Sequence, residues 1–77
     1  MARITQLTKV EKARSRLHEA VECSYSVLQI GGKTYIQIDT YGTKERDMVG
    51  VVSQSVQLDR EAAKELKHIL SAFFPDI

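Results

Sequence analysis

A single apolar stripe near the C-terminus constrains this chain more than any other feature. At about 100° per residue, Ala62, Ala63, Leu66, Ile69, Leu70, Phe73 and Phe74 fall within an arc of about 140°. Arg60, Lys64, Lys67 and Ser71 lie along one side of the opposite face, and Glu61, Glu65 and His68 along the other. Asp59 can accept hydrogen bonds from the free N–H groups of a first turn, which makes it an N-cap. Pro75 ends the helix, because it donates no N–H and restricts the residue before it. The pattern predicts a helix that packs on a core.

Residues 21–30 and 33–41 read as a β-hairpin. From Val21 to Val27 the odd positions are apolar and the even ones polar, the period of a half-buried strand. Gly31-Gly32 supplies a two-residue turn tolerant of positive φ. Ile36 and Ile38 then share one face, and Tyr35, Gln37, Asp39 and Tyr41 share the other. Leu28 and Ile30 change parity relative to Val27, which predicts a bulge near Leu28. A third strand, from Val51 to Leu58, leads into the helix, with Gln54 as a polar residue on its apolar face. Thr8-Lys9-Val10-Glu11 fits a capping box, and Val10, Ala13, Leu17, Ala20 and Val21 fall within about 100°, so a helix is expected over 9–19. Residues 1–7 read as a mobile arm or a short extended piece.

The expected fold is therefore α+β, a single domain over residues 1–77 in the order α-β-β-β-α. Its three-stranded antiparallel sheet has one face covered by the C-terminal helix. The other face carries Ser24, Ser26, Tyr35, Gln37, Asp39, Tyr41, Ser53, Ser55 and Gln57. Such a face suits solvent, a second subunit or a ligand. A chain of 77 residues has a modest core that added burial would support, so a homodimer is expected.

Composition narrows the function classes. The hydrophobic share of 43% and charged share of 27% are those of a globular protein. One cysteine, Cys23, excludes an internal disulfide and fits a reducing compartment. The chain has neither a bilayer-spanning apolar run nor the apolar segment of a signal peptide, so cytoplasmic residence and no membrane contact are expected. The net charge of +1 is divided unevenly: residues 1–18 hold five basic side chains against Glu11, and residues 19–77 hold six basic against nine acidic. A basic segment on an acidic body suits nucleic acid or an acidic partner, or else is a solvated face.

Catalytic patterns find no match. Cys23 sits on the apolar parity of its strand and reads as a core filler, and His18 and His68 fall on faces expected to be exposed. There is no nucleophile elbow, and no set of ligands spaced for zinc or calcium. Gly31-Gly32 opens a strand, not a helix, so it cannot cradle a phosphate. The expectation is a non-enzymatic chain without metal or cofactor.

Two surfaces remain. The loop from Gly42 to Gly50 is longer than a hairpin needs, with Lys44 and Arg46 as donors and Met48 and Val49 as an apolar tip. On the expected first helix, Lys9, Lys12 and Arg16 fall within about 60°, and Arg3 extends that edge from the arm.

The stretch from Tyr35 to Gly42, followed by Val52-Ser53-Gln54-Ser55-Val56-Gln57-Leu58-Asp59 and the helix, resembles a group of small bacterial proteins. Some of these carry a methionyl-tRNA formyltransferase label, an activity needing a folate site that this chain is too short to hold. The resemblance spans most of residues 21–75 and implies no particular activity. More distantly, the strand, basic loop, strand and terminal helix are similar to the transcriptional coactivator family that binds single-stranded DNA on dimeric curved sheets. That family usually has four strands and a more basic sheet. The α-β-β-β-α order is also shared with double-stranded-RNA-binding domains, but their lysine cluster and Gly-Pro-x-His loop are missing here.

Two readings follow. In the first, the chain is a nucleic-acid-binding accessory or regulatory protein for DNA or RNA. Arg3, Lys9, Lys12, Arg16, Lys44 and Arg46 would contact phosphates, and Tyr35 and Tyr41 would stack on bases. In the second, it is a protein-interaction or homo-oligomeric module, docking through Tyr41, Met48 and Val49.

Overall fold

The hairpin forms around the two glycines as their chemistry requires. In the computed structural model, which describes residues 1–42 and 51–77, Gly31 and Gly32 have φ of 59° and 75°. Positive φ at both central residues matches a type I′ turn, whose twist agrees with that of the strands it joins. A Cβ at either position would meet nothing within 4 Å, so the requirement there is conformational and not steric.

Among the described residues, four strands and one helix make up the regular structure: β1 (Ala2–Ile4), β2 (Cys23–Ile30), β3 (Lys33–Tyr41), β4 (Val52–Leu58) and α1 (Arg60–Phe73). The sheet order is β1-β4-β3-β2. Strands β2, β3 and β4 pair antiparallel, as expected. The expected three-stranded antiparallel sheet is corrected to a four-stranded mixed one, because Ala2–Ile4 pairs parallel with β4 from Val56 to Leu58. The first residues are thus a strand and not a free arm. The tripeptide is too short to display a period, and its partner lies more than fifty positions away.

The expected helix over 9–19 does not form. Residues 5–22 have neither helix nor strand, and the order among the described residues is β-β-β-β-α. A helix of about eleven residues is marginal in water unless its apolar face is buried. Here Val10, Leu17 and Val21 are all exposed, Leu17 at 99%. The start of this segment is held instead by α1. The Leu7 N–H donates to Glu65 Oε2 at 2.8 Å, and Lys9 Nζ lies 5.5 Å from the centre of the Phe73 ring.

The expected bulge at Leu28 is also absent. The β2–β3 register runs without a break from Cys23 opposite Thr40 to Ile30 opposite Lys33. The irregularity lies between Thr40 and Tyr41 against β4, where Thr40 faces Gln54 but Tyr41 faces Val52. The parity change at Leu28 therefore places Leu28 and Ile30 on the polar face, with Leu28 half-buried opposite Tyr35.

Register sorts the two faces. Tyr25, Val27, Ile36, Ile38, Val56, Leu58, Ala2 and Ile4 share the apolar face. Helix α1 is capped as expected, with Asp59 Oδ1 accepting from the Ala62 N–H at 2.9 Å. Its covering of the sheet is much smaller than expected. It meets the sheet mainly at β4, and among the described residues only Leu58 and Ala62 are buried. From Lys67 onward every helical residue is exposed, with Phe73 at 64%. On the sheet, Tyr25 stands 76% exposed, and Cys23, expected in the core, is exposed as well.

This arrangement predicts unequal effects for neighbouring substitutions. Leu58→Ala should lower unfolding free energy by about 2–4 kcal/mol. Asp59→Ala should lower it by about 1 kcal/mol through the lost cap. Denaturant titration checks both, and a Leu58→Ala cost no larger than the Asp59→Ala cost contradicts the packing described.

Candidate functional site

Among the described residues, the polar face of the sheet gathers hydrogen-bonded polar side chains from neighbouring strands. Period two places Tyr35, Gln37, Asp39 and Tyr41 along β3 on this side. Pairing then adds residues from every other strand. Ser26 faces Gln37 on β2, Gln57 faces Gln37 on β4, and Arg3 on β1 faces Gln57. Ser26, Gln37, Gln57 and Arg3 thus form one row across all four strands. Ser24, Asp39 and Ser55 form the next row.

Hydrogen bonds tie these rows together. Gln57 Nε2 donates to Gln37 Oε1 at 2.8 Å, and Gln37 Nε2 donates to the Asp39 carboxylate at 3.1 and 3.3 Å. All three side chains are half-buried, and the Asp39 carboxylate, which only accepts, orients the Gln37 amide and through it that of Gln57. Tyr41 OH and Ser24 Oγ are 2.8 Å apart, a diagonal contact across the β2–β3 pair. The backbone below is held by the Tyr41 N–H, which donates to the Glu22 carbonyl at 3.0 Å. Beside Arg3, a shallow depression of about 290 Å³ is lined by Met1, Ala2, Arg3, Ser55 and Gln57. The face therefore offers two phenol rings, an amide row and one edge guanidinium.

The predicted site residues are only partly brought together. Arg3, Tyr35 and Tyr41 share this face. Lys9 does not, since it lies against Phe73 of α1 and pairs with Glu11 at 3.5 Å. Lys12 and Arg16 lie in the segment without regular structure, so the expected basic helix edge of Lys9, Lys12 and Arg16 does not exist. Lys44, Arg46, Met48 and Val49 lie outside the described residues. Gln37 and Gln57 were passed over as site residues. Their alternation with apolar neighbours placed them on the right face, but only the register brings them side by side.

Among the described residues, no group of three or more His, Cys, Asp or Glu side chains could hold a metal ion. No described helix is long and apolar enough to cross a membrane. Comparison with protein-family models, curated proteins and solved structures finds no match for this chain.

The half-buried amide row and the exposed tyrosine contact should respond differently to mutation. Gln37→Ala removes its hydrogen bonds to both Gln57 and Asp39 and should cost about 1–2 kcal/mol of stability. Tyr41→Phe, at a solvated contact, should stay within about 0.5 kcal/mol. Equal effects in chemical denaturation contradict this ranking.

Proposed function

We propose that this chain is a non-catalytic binding module that takes single-stranded nucleic acid on the polar face of its sheet. The observation that carries the reading is Tyr35 and Tyr41 on one open face. They lie six residues apart on one strand, a separation of about 20 Å. Unpaired bases stack on aromatic side chains whatever their sequence, whereas bases in a duplex are already stacked. Arg3 at the sheet edge and Lys33 at the turn end supply cations at the margins for phosphates. Gln37 and Gln57 offer amide groups between the two rings. Asp39 opposes phosphate locally, so the backbone is expected to track the margins and the bases the centre. The single exposed thiol, Cys23, suits a reducing compartment such as the cytoplasm.

The competing reading, a protein-interaction module, is favoured by the apolar side chains left exposed on the sheet's other side and on α1. Docking through Tyr41 would use the same face as the nucleic acid, whereas docking on the exposed apolar side chains uses the opposite one, so that form of the reading can be tested separately.

Titration with single-stranded DNA, single-stranded RNA and duplex DNA at several salt concentrations tests the nucleic-acid reading. Single strands should bind more tightly than duplex, and affinity should fall as salt rises. Tyr35→Ala and Tyr41→Ala should each weaken binding at least fivefold, as loss of a stacked base implies. Arg3→Ala should flatten the salt slope by about 0.7, the value for one single-strand phosphate. No binding to any of the three at low salt would overturn this reading.

A further inference from the structure

A lone copy of this chain leaves the two halves of a core apart. Its accessible surface is 7096 Å², against about 4,700 Å² for a compact monomer of its 8.7 kDa mass. Its radius of gyration is 14.7 Å, against about 11.5 Å for a compact domain of this length. Part of the excess belongs to residues 5–22. Exposed apolar side chains of the helix and the sheet contribute as well. On α1, Ile69, Leu70 and Phe73 are exposed, as is Phe74 at its C-cap, and on the sheet so are Tyr25 and Val27. These six residues present on the order of 600 Å² of accessible surface, estimated from typical side-chain areas. Taken together, the helical and sheet surfaces approach the ~800 Å² each partner contributes to a stable interface.

We infer that a second copy of this chain covers this surface, with the α1 stripe of each copy lying on the bare apolar half of the other's sheet. Three observations commit the site to that occupant. The sheet half of the surface carries no carboxylate, ammonium or guanidinium: Cys23, Tyr25, Val27 and Gln29 on β2 and Thr34, Ile36, Ile38 and Thr40 on β3 face the same way as the six-residue patch requires. It therefore suits a mainly apolar surface such as the α1 stripe, beside which the Lys9 ammonium lies over Phe73. The chain supplies both members of a complementary pair, a protruding helical stripe and a flat bare sheet, which is what a two-fold contact between identical copies needs. Finally, with only Leu58 and Ala62 buried among the described residues, folding needs a partner present whenever the chain is made, and a second copy meets that condition. A contact between helices alone would leave Tyr25 and Val27 in water, so the sheet is part of the interface. The polar face remains outward on both copies.

Folding and pairing are then one reaction, which solution measurements on the full chain can follow without nucleic acid. Sedimentation should give twice the chain mass, and the thermal midpoint should rise by roughly 5–10 °C over a hundredfold increase in protein concentration. Phe73→Glu or Val27→Asp should abolish the dimer or the cooperative transition, whereas Tyr35→Glu on the opposite face should keep both. A monomer with a concentration-independent cooperative midpoint overturns the proposal and leaves this surface to a different partner. So does a dimer that survives Phe73→Glu and Val27→Asp but is lost on Tyr35→Glu. Because none of these measurements involves nucleic acid, their outcome is independent of the salt titration.

Discussion

The corner between Leu58, the last residue of β4, and Ala62, in the first turn of α1, is the point on which the rest of the structure depends. These two are the buried side chains among the described residues, and Asp59 between them caps the helix with its carboxylate. Strand, cap and helix are consecutive in sequence, so this corner costs little chain entropy to form. It fixes where α1 leaves the sheet. Strand β1 ends at the same place, since Ile4 pairs with Leu58, and the following residues reach α1 through the Leu7–Glu65 hydrogen bond. The N-terminal strand, the central strand and the helix thus converge on one junction.

From that junction the sheet divides into two surfaces with opposite chemistry. One side holds an amide row, two tyrosines and an edge arginine, linked by hydrogen bonds within and between strands. The other is apolar, and α1 covers it only near β4. A polar face of this kind needs nothing further to be stable in water. The apolar side does, because burying apolar surface is the main favourable contribution to folding and a chain this short has little of it inside. The proposed division of labour follows, with self-association on one side and ligand binding on the other.

Local signals were legible wherever the structure obeys local rules. The Gly31-Gly32 turn, the alternation in β3 and the Asp59 cap each depend on a few adjacent residues, and each formed where its residues predict. The face occupied by Tyr35 and Tyr41 was legible for the same reason. Non-local features were not. Ala2–Ile4 carries no period, and its pairing with Val56 to Leu58 is decided by residues far along the chain. The capping box at Thr8 and the stripe from Val10 to Val21 describe a helix that would form only with a surface to cover it. Arg3 was named for its charge, but its place beside Gln57 comes from the parallel register. The apolar stripe of α1 predicted burial, yet only its first turn is buried within one copy.

The most direct test of this account is an isotope-filtered nuclear Overhauser measurement on a mixed sample, one half labelled and one half not. Contacts between the Phe73 ring of one copy and Tyr25 or Val27 of the other are expected. Contacts between copies that involve Tyr35 or Tyr41 instead, or no contacts between copies at all, would contradict it.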